Sequence, residues 1–229
     1  HQNIPMSADY NISIGGVGEA RLIDEKRNFI ADKAYYISQY DGDIAALDLQ
    51  LGKLFDHLRN SGNFDDWLVV FVADHGESLG EDNYFFDHGY LLSEPLVKLP
   101  LIIRFPAQKR AGMRDNGVSI VDIFPTLKEY VAGKRTSEFS QDEGRSLRYR
   151  QDRDIFFENS PTHEKNEKWL GCLTGGYKLI WNTSTDDKKL YRFQKGKAFL
   201  ADPALPAHKK KMRQLTEKIR DFFSKKDIS

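Results

Sequence analysis

Two short stretches of this chain carry residue types that can do chemistry. Asp74-His75-Gly76-Glu77 sets a carboxylate beside an imidazole, a donor pair suited to a divalent cation. Two donors do not complete such a site. The same residues also admit a plainer role, with Asp74 capping the following turn and His75 a satisfied polar side chain. Thirteen residues beyond His75 stands a second His-Gly, His88-Gly89, after a loop that includes Glu81, Asp82 and Asp87. A loop of that length can fold back over the same edge, where His88 could contact an anionic substrate or protonate a leaving oxygen. A surface histidine on an exposed loop is the alternative. Cys172 is the lone cysteine, which excludes an intrachain disulfide and a cysteine-built zinc site. It lies within an apolar segment and reads as a buried packing thiol. Gly15-Gly16-Val17-Gly18 lacks the strand-to-helix context of a phosphate cradle and reads as a flexible turn.

The elements that must position these residues follow from periodicity. Tyr36, Tyr40, Ile44, Leu47, Leu51, Leu54, Phe55 and Leu58 recur at spacings of mostly three and four, which predicts a helix from about Asp32 to Arg59. Asn60-Ser61-Gly62-Asn63 ends it. The continuous run Trp67-Leu68-Val69-Val70-Phe71-Val72-Ala73 predicts a strand buried on both faces, as in a parallel sheet. Asp74 and His75 then emerge at its carboxyl end, where open α/β sheets place ligands, and Gly76 allows a sharp turn without a Cβ clash. A second strand is expected from Pro100 to Phe105. A helix is expected from Ser119 to Val131, with a capping signal at Ser119 and Asp122, a start that Pro125 could delay, and a stop at Gly133. Lys134 to Arg153 reads as a linker or exposed loop. Short strand-like pieces follow at Ile155–Glu158, Trp169–Thr174, Tyr177–Trp181 and Leu190–Phe193, with Gly175-Gly176 as a tight turn. A basic helix closes the chain from about Ala207 to Phe223, its apolar face formed by Met212, Leu215, Ile219, Phe222 and Phe223. The expected fold class is α/β, with a small antiparallel sheet and packing helix appended. The expected boundary separates residues 1–149 from residues 150–229.

Composition limits the function classes. The 229 residues hold 34 Lys plus Arg and 34 Asp plus Glu, for zero net charge. A balanced chain has no bulk pull toward nucleic acid or anionic membrane. The mix of 40% hydrophobic and 30% charged residues is that of an ordinary soluble globular protein. The longest apolar run, Trp67 to Ala73, is too short to span a bilayer, and no leader pattern opens the chain. These features leave the compartment open between cytoplasm and periplasm or exterior. Asn11-Ile12-Ser13 and Asn182-Thr183-Ser184 match the glycosylation tripeptide, which often arises by chance.

Several motifs in order resemble the sulfatases, within the alkaline-phosphatase-like superfamily. They are Tyr40-Asp41-Gly42-Asp43-Ile44 through Leu51-Gly52-Lys53-Leu54, Leu68 through Ala73-Asp74-His75-Gly76-Glu77-Ser78-Leu79-Gly80-Glu81, and Lys98-Leu99-Pro100-Leu101-Ile102-Ile103-Arg104-Phe105-Pro106. Val118-Ser119-Ile120-Val121-Asp122-Ile123-Phe124-Pro125-Thr126-Leu127 follows, then Gly144-Arg145-Ser146-Leu147, Tyr177-Lys178-Leu179-Ile180 and Leu190-Tyr191. The resemblance runs from about residue 35 to the end and implies a partial alkaline-phosphatase-like sheet flanked by helices.

What the resemblance implies about chemistry is specific. Asp74 and His75 are expected to be two ligands of an active-site cation, with calcium ahead of magnesium, manganese or zinc. His88 stands near the place of a Lys or His that touches the sulfate ester, and is the expected general acid. His1, near Pro5, is the expected remnant of a substrate-contacting loop. A sulfatase also needs Cys or Ser within Cys/Ser-x-Pro-Ser-Arg, converted to formylglycine, and an early pair of aspartates. Neither occurs in place here. The expectation is therefore the carboxyl-terminal half of a sulfatase-type enzyme, with the nucleophile in a missing segment and a sulfate-ester small molecule or glycan as substrate. The alternatives are a phosphodiesterase or phosphotransferase of the same superfamily, which would use Thr or Ser as nucleophile, and a non-catalytic module.

Overall fold

The computed structural model describes residues 33–108, 111–114, 116–133, 144–149, 152–159, 167–194 and 196–226. It also gives the backbone of two short antiparallel strands, β1 (Leu22–Ile23) and β2 (Phe29–Ile30). His1, Gly15-Gly16-Val17-Gly18, the Asn11 tripeptide and residues 134–143 lie outside the described residues. The rest fall into two compact units, one drawn from residues 1–88 and 95–111, the other from residues 89–94 and 112–229. Among the described residues, no helix is long and apolar enough to cross a membrane.

The first unit carries helix α1 (Lys33–Asn60). It stops where the sequence signals: Ser61 N donates to His57 O at 3.1 Å, and Gly62 follows at φ +81°, a left-handed conformation that glycine adopts without penalty. Tyr36 is buried, but Ile44 and Leu47 of the same stripe are 52% exposed.

Strand β3 (Val69–Val72) pairs antiparallel with β6 (Leu101–Arg104), Val69 opposite Arg104 and Val72 opposite Leu101. This corrects the expectation of a parallel strand buried on both faces. The two strands form a ribbon by themselves among the described residues, and Trp67, Val72 and Ile102 are exposed. An unbroken apolar run shows that both faces of a strand are apolar; it carries no record of strand direction or of what covers those faces. Arg104 locks the ribbon's end, with Nη1 donating to Phe64 O at 2.9 Å and Nη2 to Asp65 Oδ1 at 2.6 Å.

In the second unit a 3-10 turn (Ile120–Asp122) leads into α3 (Ile123–Ala132), and Pro125 sits in the first turn, where no backbone N–H is required. The capping box is present: Ser119 N donates to Asp122 Oδ2 at 2.8 Å. Asp122 is also buried, and its Oδ1 accepts from Arg145 N at 2.7 Å and Arg153 Nη2 at 2.5 Å. A cap thus doubles as an anchor for Arg145 and Arg153, in residues 144–149 and 152–153, the parts of the expected linker that the structure describes.

Five antiparallel strands then form a meander: β7 (Ile155–Glu158), β8 (Trp169–Thr174), β9 (Tyr177–Asn182), β10 (Lys188–Gln194) and β11 (Lys197–Leu200). The last of these is not signalled in the sequence, because Phe199 and Leu200 lie exposed on an edge rather than alternating into a core. Helix α4 (Pro206–Lys226) covers one face. Its Leu215, Ile219 and Phe223 pack with Leu170, Cys172, Leu179, Trp181 and Leu190. Phe222 stacks on Phe156 with ring centroids 4.0 Å apart. The architecture is therefore mixed helix and strand, with the antiparallel sheet and C-terminal helix the sequence calls for.

Candidate active site

Beyond Val72 the chain leaves the ribbon and enters a hairpin that sequence reasoning missed. Strands β4 (Ser78–Leu79) and β5 (Phe85–Asp87) pair antiparallel with Ser78 opposite Asp87. Each strand is too short to show an alternating pattern. The tip turns through Gly80 at φ +102° and Asp82 at φ +55°. Side chains close it: buried Ser78 Oγ donates to Tyr84 O at 2.6 Å, and Leu79 N donates to Glu81 Oε2 at 2.8 Å. Glu81, noted above for its charge, therefore has a structural task.

Register then dictates the encounter. With Ser78 opposite Asp87, Glu77 must face His88, and His88 Nδ1 stands 3.3 Å from Glu77 Oε2. The His75 and His88 rings stack at a centroid distance of 3.9 Å and an interplanar angle of 19°. The hairpin thus brings together the two His-Gly pairs that stand thirteen residues apart in the sequence.

Gly76 has a different reason to be glycine from the one expected. Its backbone is not left-handed. Instead a Cβ there would lie 1.8 Å from Pro95 O, while Gly76 N donates to Leu96 O at 3.0 Å. The chain beside His75 is pressed against helix α2 (Glu94–Val97), and only a residue without a side chain permits that approach.

The electrostatics are local. Asp74 is exposed, and Oδ1 accepts the N–H of His75 at 2.9 Å, the turn contact that the plainer reading of Asp74 anticipates. That hydrogen bond foremost, then its own backbone N–H and the neighbouring His75, hold the Asp74 carboxyl below its ordinary range. Oδ2 faces His75 Nε2 at 3.7 Å. His75 Nδ1 lies 2.9 Å from Gly76 O. A carbonyl only accepts, so Nδ1 carries the proton and the neutral ring keeps its lone pair on Nε2, the atom turned toward Asp74. An imidazole fixed this way by a backbone carbonyl is oriented as a metal ligand requires.

These two donors fit one side of a divalent-cation site. Among the described residues no set of three His, Cys, Asp or Glu stands together to complete it. His1 cannot be placed, since it lies outside the described residues. Glu77 is the residue sequence reasoning passed over; its signal is the hairpin register, which becomes visible only once Ser78 and Asp87 are paired. Cys172 takes no part: it is fully buried in the sheet-and-helix core, and burial pushes its thiol up to about 12. Asn182 of the second glycosylation tripeptide is buried, and its Oδ1 accepts from Ser184 N at 2.9 Å.

Comparison with known proteins gives a consistent picture. The family model described as Sulfatase matches residues 15–133. The N-acetylglucosamine-6-O-sulfatase of Bacteroides thetaiotaomicron is 26% identical over 188 residues, which are 76% of this chain and 33% of that protein. The multifunctional alkaline phosphatase superfamily protein PehA of Trinickia caryophylli is 36% identical over 97 residues, 42% of this chain and 18% of that one. A structure solved with its substrate D-glucosamine-2-N,6-O-disulfate superposes with a TM-score of 0.56 at 23% identity, covering 80% of this chain and 40% of that chain. The chain thus spans a third or less of the length of both these curated relatives.

Proposed function

This chain belongs to the sulfatase family, and on that premise we propose that it supplies part of the active site of a sulfuric ester hydrolase. The observation that carries the reading is the convergence of Asp74, His75 and His88 at the end of β3. Asp74 and His75 are proposed as two ligands of a divalent cation, calcium first. When bound, such a cation supplies Lewis-acid polarisation of the ester's sulfuryl oxygens.

The chain's own residues have separate tasks. Asp74 presents an ionised carboxylate at the strand edge, and His75 presents Nε2 beside it. His88 holds a proton at Nδ1 against the Glu77 carboxylate, leaving Nε2 as the atom proposed to face the departing oxygen. Glu77 keeps that ring oriented through the 3.3 Å contact at Nδ1. The nucleophile is proposed to be a formylglycine in a part of the protein outside these residues, since the sequence contains no Cys/Ser-x-Pro-Ser-Arg. Residues 1–149 would then contribute to the catalytic domain and residues 150–229 would form a smaller subdomain. The proposed substrate is a sulfate ester of a small molecule or glycan, a class supported by the names of the relatives.

The test is Asp74→Ala in the full-length protein, assayed on an aryl sulfate with calcium present. The expected outcome is loss of turnover with an unchanged circular-dichroism spectrum. A folded Asp74→Ala enzyme of wild-type rate would overturn the ligand assignment. The likeness to PehA, named as multifunctional, favours phosphate esters as a second substrate class, and the same assay with an aryl phosphate decides it.

A further inference from the structure

The chain is neutral in total, but its charge is unevenly placed. Helix α4 carries eight Lys and Arg against Glu217 and Asp221, an excess of six positive charges. Its apolar face is occupied, because Leu215, Ile219 and Phe223 fill the core against the sheet. The basic residues therefore lie on its flanks and outer face. On one flank they have partners: Lys218 Nζ donates to Asp154 Oδ2 at 2.5 Å, and Lys211 Nζ stands 5.3 Å from the centre of the Tyr177 ring. On the other flank Lys209, Arg213 and Arg220 fall within about 40° of one another round the axis and span about 16 Å along it. All three are exposed.

The five-stranded sheet extends this charge within the same unit. Leu190 of β10 faces α4, so Lys188 and Arg192, two residues to either side of it, share that face. Arg192 stands opposite Phe199 and Gln194 opposite Lys197, which puts Phe199 and Lys197 of β11 on it too. Helix and strand meet at Trp181, whose ring centre lies 5.0 Å from Arg220 Cζ and 5.1 Å from Lys188 Nζ. Six basic side chains thus gather on one side of this unit. Among the described residues only Lys188 of the six makes an ion pair, with Asp186. Beside them the Phe199 ring is 51% exposed. Like charges collected without counter-charge repel one another, a cost that a bound polyanion relieves.

We propose that this patch binds a sulfated polysaccharide chain. The choice of a sulfated polymer rests on the reading of the protein as a sulfuric ester hydrolase; the binding of a polyanion rests on the patch alone. A reach of about 16 Å along α4 is longer than one sulfate group can cover, so several anionic groups on one chain are needed. Arg192, Arg213 and Arg220 present planar forks that pair two oxygens of one oxyanion. Phe199 offers an apolar ring to the face of a sugar. A membrane is the poorer partner, because a helix that lies in a bilayer surface needs its apolar face, and that of α4 is buried against the sheet. Nucleic acid matches the charge but carries no sulfate ester for the proposed active site.

The test uses the full-length enzyme and a fluorescein-labelled heparin oligosaccharide, with binding followed by anisotropy as salt is raised. The wild type should bind with an affinity that falls steeply with salt, because each ion pair releases a condensed counterion. The triple variant Arg192→Gln, Lys209→Gln, Arg213→Gln should bind at least about tenfold more weakly at about 0.1 M salt. Its log–log salt slope should be shallower by about 2, from three lost contacts at about 0.7 each. The single variant Arg213→Gln should lose about 0.7 of slope. A control triple, Lys53→Gln, Lys98→Gln, Arg148→Gln, makes the same change of charge at exposed positions elsewhere. It should bind within about twofold of wild type, since distant exposed charges are screened. Unchanged urea midpoints check that the variants fold. Absence of heparin binding by the wild type, or equal weakening in the two triple variants, would overturn the proposal. Tighter binding of poly-dT or of phosphatidylserine vesicles than of heparin would overturn it as well. Turnover of an aryl sulfate is read separately, and the patch variant should keep the wild-type kcat and KM on that small ester. A protein that binds heparin through these residues but cleaves no aryl sulfate would refute the active-site reading and uphold the patch.

Discussion

Replacing Gly76 with alanine is the sharpest available probe of how the candidate site is held. The added Cβ would lie 1.8 Å from Pro95 O, against 3.4–4 Å for ordinary contact. The two segments would have to part by about 1.5 Å, and the 3.0 Å hydrogen bond from Gly76 N to Leu96 O would be lost. Overpacking costs about 1–3 kcal/mol and the hydrogen bond about 1 kcal/mol more, so a loss near 2–4 kcal/mol is expected. The displacement falls one residue from His75. A shift of about 1 Å in a positioned group commonly costs about a hundredfold in rate. Urea denaturation of the full-length protein, calcium titration calorimetry and sulfate-ester turnover measure the three effects. Gly112→Ala, where a Cβ meets nothing within 4 Å, serves as the near-neutral control. Wild-type midpoint, affinity and rate in Gly76→Ala would show that Pro95 does not press on Gly76, and the account of this edge would fall.

Two further outcomes follow from charge and burial. The Cys172 thiol titrates at about 12 in the fold against 9.0 in the open chain. The unfolded state therefore loses its proton first, and stability is intact below pH 9 and declines between pH 9 and 12, by about 4 kcal/mol in all. Denaturant midpoints in that range should show the slope, and Cys172→Ala should remove that contribution. Burial tends to raise Asp154, but hydrogen bonds from Lys218 and Thr174 outweigh it and hold its carboxyl below 3.8. The stability it contributes is present above that value and lost as pH falls through the lower folded one. Lys218→Met should flatten acid denaturation below pH 3.8, read by tryptophan fluorescence.

The sequence was most legible where local chemistry decides the structure. Ser119, Asp122 and Gly133 bracket α3 because caps are satisfied within a turn. Ile155–Glu158 and Trp169–Thr174 read as strands because their side chains fill a core that the neighbouring chain segments supply. It was least legible where the partner is remote. The run Leu68 to Ala73 is equally apolar whether its neighbour runs parallel or antiparallel, so the pairing with Leu101–Arg104 could not be read from it. Asp74, His75 and His88 could be singled out by type, but Glu77 could not, because its contact depends on a hairpin two residues wide. Gly76 was recognised for its freedom to turn, whereas what matters is the carbonyl of Pro95, nineteen positions away in the chain.

The strand order of the five-stranded sheet follows the order of the chain, each strand lying beside the next. Every pairing there closes a short loop, so the sheet can zip outward from the Gly175-Gly176 turn at little entropic cost. The ribbon is different: Val72 must find Leu101 across the whole hairpin that bears His75 and His88. The ribbon, and the hairpin it encloses, are thus expected to form later than the five-stranded sheet.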